Sequence, residues 1–269
     1  MKIIETLAET GGEAGDNSMS RVLYQFPLSH YSEKSRWNLD AKGLDYQCRS
    51  LVPGPHLLTA RRLAGQSTLP ILRDGNRIIG DSTRIAIYLD ERYPEHRLLP
   101  SQPTELARVL ALEALADELG VHVRRCVWSQ VIEDDGINRL FFDFGSYSAL
   151  TKAASGAFRP VLRRMIRQRF DVWPPACEES WKVLHAMMEL LALQLDNNPE
   201  NYLAGGNFTL ADLSMAAMLA PLIGPENSPW VDDRVQARPE DSRSVYRAEV
   251  VGQWVQRIYR THRQPPLLP

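Results

Sequence analysis

The stretch Leu23-Tyr24-Gln25-Phe26-Pro27-Leu28-Ser29-His30-Tyr31-Ser32-Glu33-Lys34-Ser35-Arg36-Trp37 reads as a short strand, a tight polar turn and the first turns of an amphipathic helix. Backbone N–H groups at a helix start have no intrahelical partner and carry partial positive charge, so a hydroxyl planted there is well placed to hold an anion. Ser29 is that hydroxyl, and Ser32, one turn along, is its nearest substitute. The local residues leave two readings of Ser29 open: a cap that only starts the helix, or a cap that also faces a ligand.

Working outward, Arg21 to Phe26 alternates as a strand, Glu33 to Ala41 continues as a helix until Lys42-Gly43, and Asp45 to Val52 reads as a second strand. So compact a strand, helix and strand predicts a parallel pair with a right-handed crossover. Pro53-Gly54-Pro55 then breaks the chain, and Leu57 to Ala64 forms a short helix with Arg61 and Arg62 outward. Leu69 to Asp74 and Arg77 to Ile79 flank the hairpin turn Asp74-Gly75-Asn76. Ser82 to Tyr93 closes the unit as a helix with Ile85, Ala86 and Leu89 on one face, ended by Pro94. The order β-α-β-α-β-β-α is that of an α/β thioredoxin-like N-terminal domain, taken as residues 21–97. Residues 98–103, with Pro100 and Pro103, read as a linker.

From 104 to 269 the pattern is an all-α helical bundle. Thr104 is the expected N-cap of a long helix in which Leu106, Val109, Leu110, Leu119, Val123 and Val127 keep helical spacing. Further helices are expected at Pro160 to Phe170, Cys177 to Asn197, Leu210 to Leu222 and Ser244 to Arg260. Phe208-Thr209-Leu210-Ala211-Asp212-Leu213 is a capping box with a hydrophobic staple: Thr209 as N-cap, Asp212 reaching back and Phe208 packing on Leu213. At the other end, residues 1–20, with Gly11, Gly12 and Gly15, read as a mobile polar leader outside the fold.

The chain of 269 residues is 44% hydrophobic and 24% charged, ample for a sizeable core, and its net charge of −2 gives no electrostatic reason to expect nucleic acid or an anionic membrane. Three cysteines, Cys48, Cys126 and Cys177, lack Cys-x-x-Cys spacing, so neither a disulfide framework nor a metal site is suggested. No apolar run approaches the roughly 18 residues a membrane helix needs, and the amino terminus lacks a signal-peptide pattern; a cytoplasmic protein is expected.

The layout and motifs resemble the cytosolic glutathione transferases over nearly everything after the leader. Matching Ser35-Arg36-Trp37 and Gly43 to that family's first helix puts Ser29 where the serine-type and cysteine-type classes (theta, omega) carry the residue that activates or bonds the thiol. It puts Gln25 where the tyrosine-type classes carry their tyrosine, and Tyr24 points to the opposite face of the strand. The resemblance further implies a cis bond before Pro70 in Ser67-Thr68-Leu69-Pro70, with Leu69 offering its backbone to the cysteinyl part of glutathione. It implies that Ser82 and Asp81, where the family usually has Glu-Ser or Gln-Ser, hold the γ-glutamyl end, Asp being one methylene shorter than Glu; plain helix capping is the other reading of both. For the glycine carboxylate the same matching brings up His56, with Arg61 and Arg62 as alternates.

The electrophile's wall candidates are Arg124, Trp128, Phe141, Phe142 and Tyr147, with core packing as the competing account of the aromatics. Arg159, Arg163, Arg164, Arg167 and Arg169 crowd the segment 134–175, as a solvated face or as partners for an acidic substrate. The implied activity is transfer of glutathione, activated at Ser29, to a hydrophobic electrophilic small molecule by a homodimeric enzyme without a metal. The alternative is a non-catalytic member of the fold serving as a binding or partner module, favoured by His30, where serine-type and cysteine-type members often have Pro or a small residue, and by Asp81. Thiol-disulfide exchange is disfavoured because Ser29 stands where it would need a cysteine.

Overall fold

A computed structural model describes residues 21–132, 149–231 and 240–263, with the backbone alone for 149–158 and 240–242. The leader 1–20 and the wall candidates Phe141, Phe142 and Tyr147 lie outside the described residues.

In β1 (Arg21–Gln25), Leu23 packs on one side of a sheet and Val22 and Tyr24 on the other, the period-two consequence of an extended chain. After α1 (His30–Ala41), β2 (Gln47–Ser50) returns parallel to β1. Past α2 (His56–Ala64), β3 (Ile71–Asp74) and β4 (Arg77–Gly80) add antiparallel strands, giving the order β2-β1-β3-β4, and α3 (Ser82–Arg92) follows. Leu23 and Leu72 pack with Leu39 of α1 and Ile85 and Leu89 of α3; Val22, Tyr24 and Ile71 pack with Ala60 of α2. The sheet is thus covered on both faces, and the arrangement is thioredoxin-like, as expected.

The described chain then continues through helices alone: α4 (Pro103–Val131), α5 (Ala149–Phe170), α6 (Pro174–Gln194), α7 (Leu210–Ile223), α8 (Glu240–Ala248) and α9 (Val250–His262). All 14 residues of α7 are buried, because α1, α4, α8 and α9 pack around it; that explains a helix that is apolar on every side. It starts at the capping box, where Asp212 accepts from Leu203 N–H (2.8 Å) and Thr209 N–H (2.9 Å). Its last carbonyls are answered by α8: Arg247 donates to Ile223 (2.6 Å) and Gly224 (2.9 Å), and Arg243 donates to Pro221 (3.2 Å). Phe208, expected as a staple, stacks on His262 at 4.0 Å.

Several boundaries differ from expectation for identifiable reasons. Gln102, not Thr104, caps α4, because Pro103 fits the first helical position, where its missing N–H costs nothing. α5 begins at Ala149 and carries Pro160 inside it. The single helix expected over Ser244 to Arg260 is two, α8 and α9, with Glu249 as the N-cap between them. α1 starts at His30 rather than Glu33, and β2 is shorter than Asp45 to Val52.

Two buried ionic clusters hold α1. Lys34 pairs with Glu113 and Asp117 of α4 (2.8 Å to Asp117) and donates to Thr83 of α3 (3.0 Å). Glu33 accepts from Arg36 Nε (2.9 Å) and Arg263 Nε (2.8 Å), and Arg263 also reaches Asp40 (2.5 Å). Charges removed from water must be paired, so these contacts fix where α1 starts relative to α4 and the end of α9.

Candidate functional site

The turn after β1 closes with Ser29 N–H donating to Phe26 C=O at 3.1 Å. Ser29 is in extended conformation as the N-cap of α1; its Oγ accepts from Ser32 N–H (3.3 Å) and its C=O from Glu33 N–H (2.8 Å). The N–H groups of His30 and Tyr31 have no intrahelical acceptor, by the geometry of a helix start. Ser29, His30 and Tyr31 all line a cavity of about 510 Å³. Opposite them stand Arg124, Val127 and Trp128 of α4 and Leu162, Ile166 and Phe170 of α5. The cavity is completed by Leu69, whose bond to Pro70 is cis, by His56 and Leu57, and by Trp230.

Electrostatically the cavity is neutral to positive. Burial, with the Arg124 charge adding to it, holds the His30 imidazole down to about 3, so the ring is uncharged. Tyr31 donates its hydroxyl to Asp117 C=O (2.8 Å), and burial pushes its phenol up to about 12. Arg124 stands over the Phe170 ring at 4.3 Å and the Tyr31 ring at 5.6 Å, with Nε sealed from solvent and without a hydrogen-bond partner. Burial lowers its pKa, and the charges of Arg169 and Arg125 press in the same direction. His56 Nδ1 accepts from Gly54 N–H at 3.0 Å, and burial lowers the ring's pKa. With Nδ1 used as an acceptor, the proton of neutral His56 sits on Nε2.

Of the residues singled out from the sequence, the cavity therefore joins Ser29, His56, Leu69, Arg124 and Trp128. Ser32 is fully buried, its hydroxyl has no partner, and it does not line the cavity. Pro70 and Ser82 are buried outside the lining, and Arg61 and Arg62 are exposed on the last turn of α2. Asp81 caps α3, accepting from Thr83 N–H (3.0 Å) and Arg84 N–H (3.1 Å), and lies beyond the cavity, although its charge bears on Tyr31. Tyr24 is buried on the α2 side of the sheet, away from the cavity. Sequence reasoning missed Tyr31, Phe170 and Trp230 and left Arg169 between a solvated face and a partner for an acidic substrate; all four line the cavity. Arg169 and Phe170 are adjacent in the last turn of α5, a pairing of cation and ring that was readable, whereas Trp230 follows a connection with no periodic signal.

Residues 23–97 match the family model described as glutathione S-transferase, N-terminal domain. The chain is 38% identical over 81 residues to "Glutathione S-transferase 1" of Dianthus caryophyllus, the match covering 29% of this chain and 37% of the relative. It is 34% identical over 106 residues to the "Probable maleylacetoacetate isomerase" of Vibrio cholerae, covering 37% of this chain and 49% of that protein. The chain thus matches less than half the length of these curated relatives. Among solved structures, Beta-etherase LigF from Sphingobium sp. strain SYK-6 has the same fold, with a TM-score of 0.61 over 90% of this chain and 95% of that one, at 19% identity. The sheet-bearing half is a glutathione S-transferase N-terminal domain. The helices that follow it are arranged as in that structural neighbour, over 90% of this chain. Among the described residues no helix is long and apolar enough to cross a membrane.

Proposed function

We propose that this chain is a glutathione transferase that holds the glutathione thiol as a thiolate at the start of α1 and delivers it to an electrophile in the adjoining cavity. The observation that carries the reading is Ser29: an N-cap that lines the cavity and uses its oxygen as an acceptor for Ser32 N–H, so that its hydroxyl proton remains to donate. A thiol with an ordinary pKa near 8.5 must lose about two units to be anionic at neutral pH, roughly 2.7 kcal/mol. A hydrogen bond to a charged group supplies about 1.5 to 3 kcal/mol and a helix N-terminus roughly 0.3 to 1 more, so the two suffice.

The thiolate sulfur forms the new C–S bond, and the displaced electron pair leaves with the departing group or, in an addition, is protonated on the acceptor. Leu69 supplies backbone groups to the cysteinyl part, Ser82 and Asp81 the γ-glutamyl end, and His56 the glycine carboxylate. Asp81 contributes through the oxygen its capping bonds leave over, since Oδ1 serves both N–H groups. A homodimer in the cytoplasm, with 21–97 and 104–269 as its two domains, completes the proposal.

The test is a calorimetric titration with glutathione, followed by ultraviolet absorbance of the bound thiol against pH in the wild type and Ser29→Ala. Saturable binding is expected, with the thiol pKa raised by one to two units in the variant and turnover reduced at least tenfold. Absence of saturable binding would leave the non-catalytic reading in possession.

A further inference from the structure

We propose that the electrophile carries a carboxylate on an apolar body, and that Arg124 is the residue that receives it. The proposal takes from the functional reading only the word electrophile; the preference for an anion rests on the cavity itself. Deeply buried cations in this protein have acids beside them: Lys34 meets Glu113 and Asp117, Lys42 meets Asp90, and Arg36 and Arg263 share Glu33. Arg124 is only partly buried, but its surroundings are of a different kind. It forms no ion pair among the described residues, its Nε is sealed from solvent without a partner, and its guanidinium lies over the faces of Phe170 and Tyr31.

A guanidinium with no acid beside it keeps a planar fork of N–H donors, the group that takes a carboxylate two-handed. No Asp or Glu stands among the described residues lining the cavity, so nothing there answers this charge or repels an incoming anion. Arg169, also in the lining, adds a second positive pole whose field reaches both Arg124 and His56. The remaining surface near Arg124 is apolar, with Val127, Trp128, Leu162 and Ile166, which suits the rest of such a molecule. Arg124 also acts electrostatically on His30, the residue after Ser29, so a ligand anchored on it lies beside the start of α1.

The test uses the full chain and the two cavity tryptophans, Trp128 and Trp230, as fluorescent reporters. Without glutathione, 3,5-dinitrobenzoate and its methyl ester are titrated against the wild type, Arg124→Gln and Arg169→Gln at low and high salt. The acid should bind the wild type at least tenfold more tightly than the ester. That ratio should fall to near one in Arg124→Gln, fall partway in Arg169→Gln, and shrink with salt. Equal binding of acid and ester by the wild type overturns the proposal whether or not the variants fold; so does a preference that survives Arg124→Gln. A raised thiol pKa of bound glutathione in Arg124→Gln, with the acid preference intact, assigns Arg124 to the thiolate and likewise overturns it. A wild-type acid preference lost in Arg124→Gln, in a protein that fails to bind glutathione, sustains the anion site and removes the transferase reading instead.

Discussion

His30 sits next to the proposed thiol-holding serine, and its environment forbids its charge. Burial first, and the Arg124 charge second, hold its pKa at about 3 against an ordinary 6.5. Because the folded value is the lower one, the unfolded chain takes up a proton below pH 6.5 that the folded chain refuses, and stability falls as pH drops through that window. The unfolding free energy of the wild type in urea should decline between pH 7 and 5, with a slope of up to about 1.4 kcal/mol per pH unit for this one proton. His30→Asn should flatten the decline, and an unaltered slope would exonerate the residue. Gly120 of α4 is what lets His30 and Tyr31 lie so close: a Cβ there would stand 2.9 Å from Tyr31 Oη and 3.2 Å from His30 Nε2. Neither the burial of His30 nor the glycine opposite it is a local property, so neither was readable in the quoted stretch.

At the scale of elements, the joint between α8 and α9 shows where periodicity misleads. Apolar spacing runs through Ser244 to Arg260 as though it were one helix, yet the chain breaks at Glu249 and α9 packs back on α8. Gly252 makes that approach possible, since a Cβ built there would lie 1.8 Å from Tyr246 O. Backbone cannot rotate aside as a side chain can. Gly252→Ala should therefore destabilise by roughly 1 to 3 kcal/mol, as overpacking does, even though Ala gains about 1 kcal/mol over Gly in an ordinary helix interior. Chemical denaturation measures the difference, and a stabilised variant would mean that the two helices are separable. The capping box before α7, by contrast, was readable because its partners are three residues apart.

For the molecule as a whole, Arg263 binds the two ends of the described chain together through Glu33 and Asp40. Burial works to raise the Glu33 carboxyl, but Arg263 and Arg36 outweigh it and hold its pKa below the ordinary 4.5. A depressed folded value means the stabilisation is present above pH 4.5 and is lost as pH falls through that lower value. Arg263→Leu leaves Glu33 with one cation, so it should cost about 3 to 5 kcal/mol at pH 7 and move the onset of acid unfolding upward. Thermal melts from pH 3 to 7 read both effects; a wild-type acid profile in the variant would show that Arg36 alone carries Glu33.

The order β-α-β-α-β-β-α, the helical remainder and the capping box followed from patterns that repeat every two or three to four residues, which neighbours along the chain suffice to set. Ser29 could be named as a cap for the same reason. Which hydroxyl faces the cavity was another matter: the sequence ranks Ser29 ahead of Ser32, but it is the packing of α1 against α3 and α7 that buries Ser32 and leaves Ser29 on the lining. Arg124 makes the point for charge. Spacing placed it in a long helix, but whether a cation finds an acid depends on which helices cross beside it, and that is decided by tertiary packing alone.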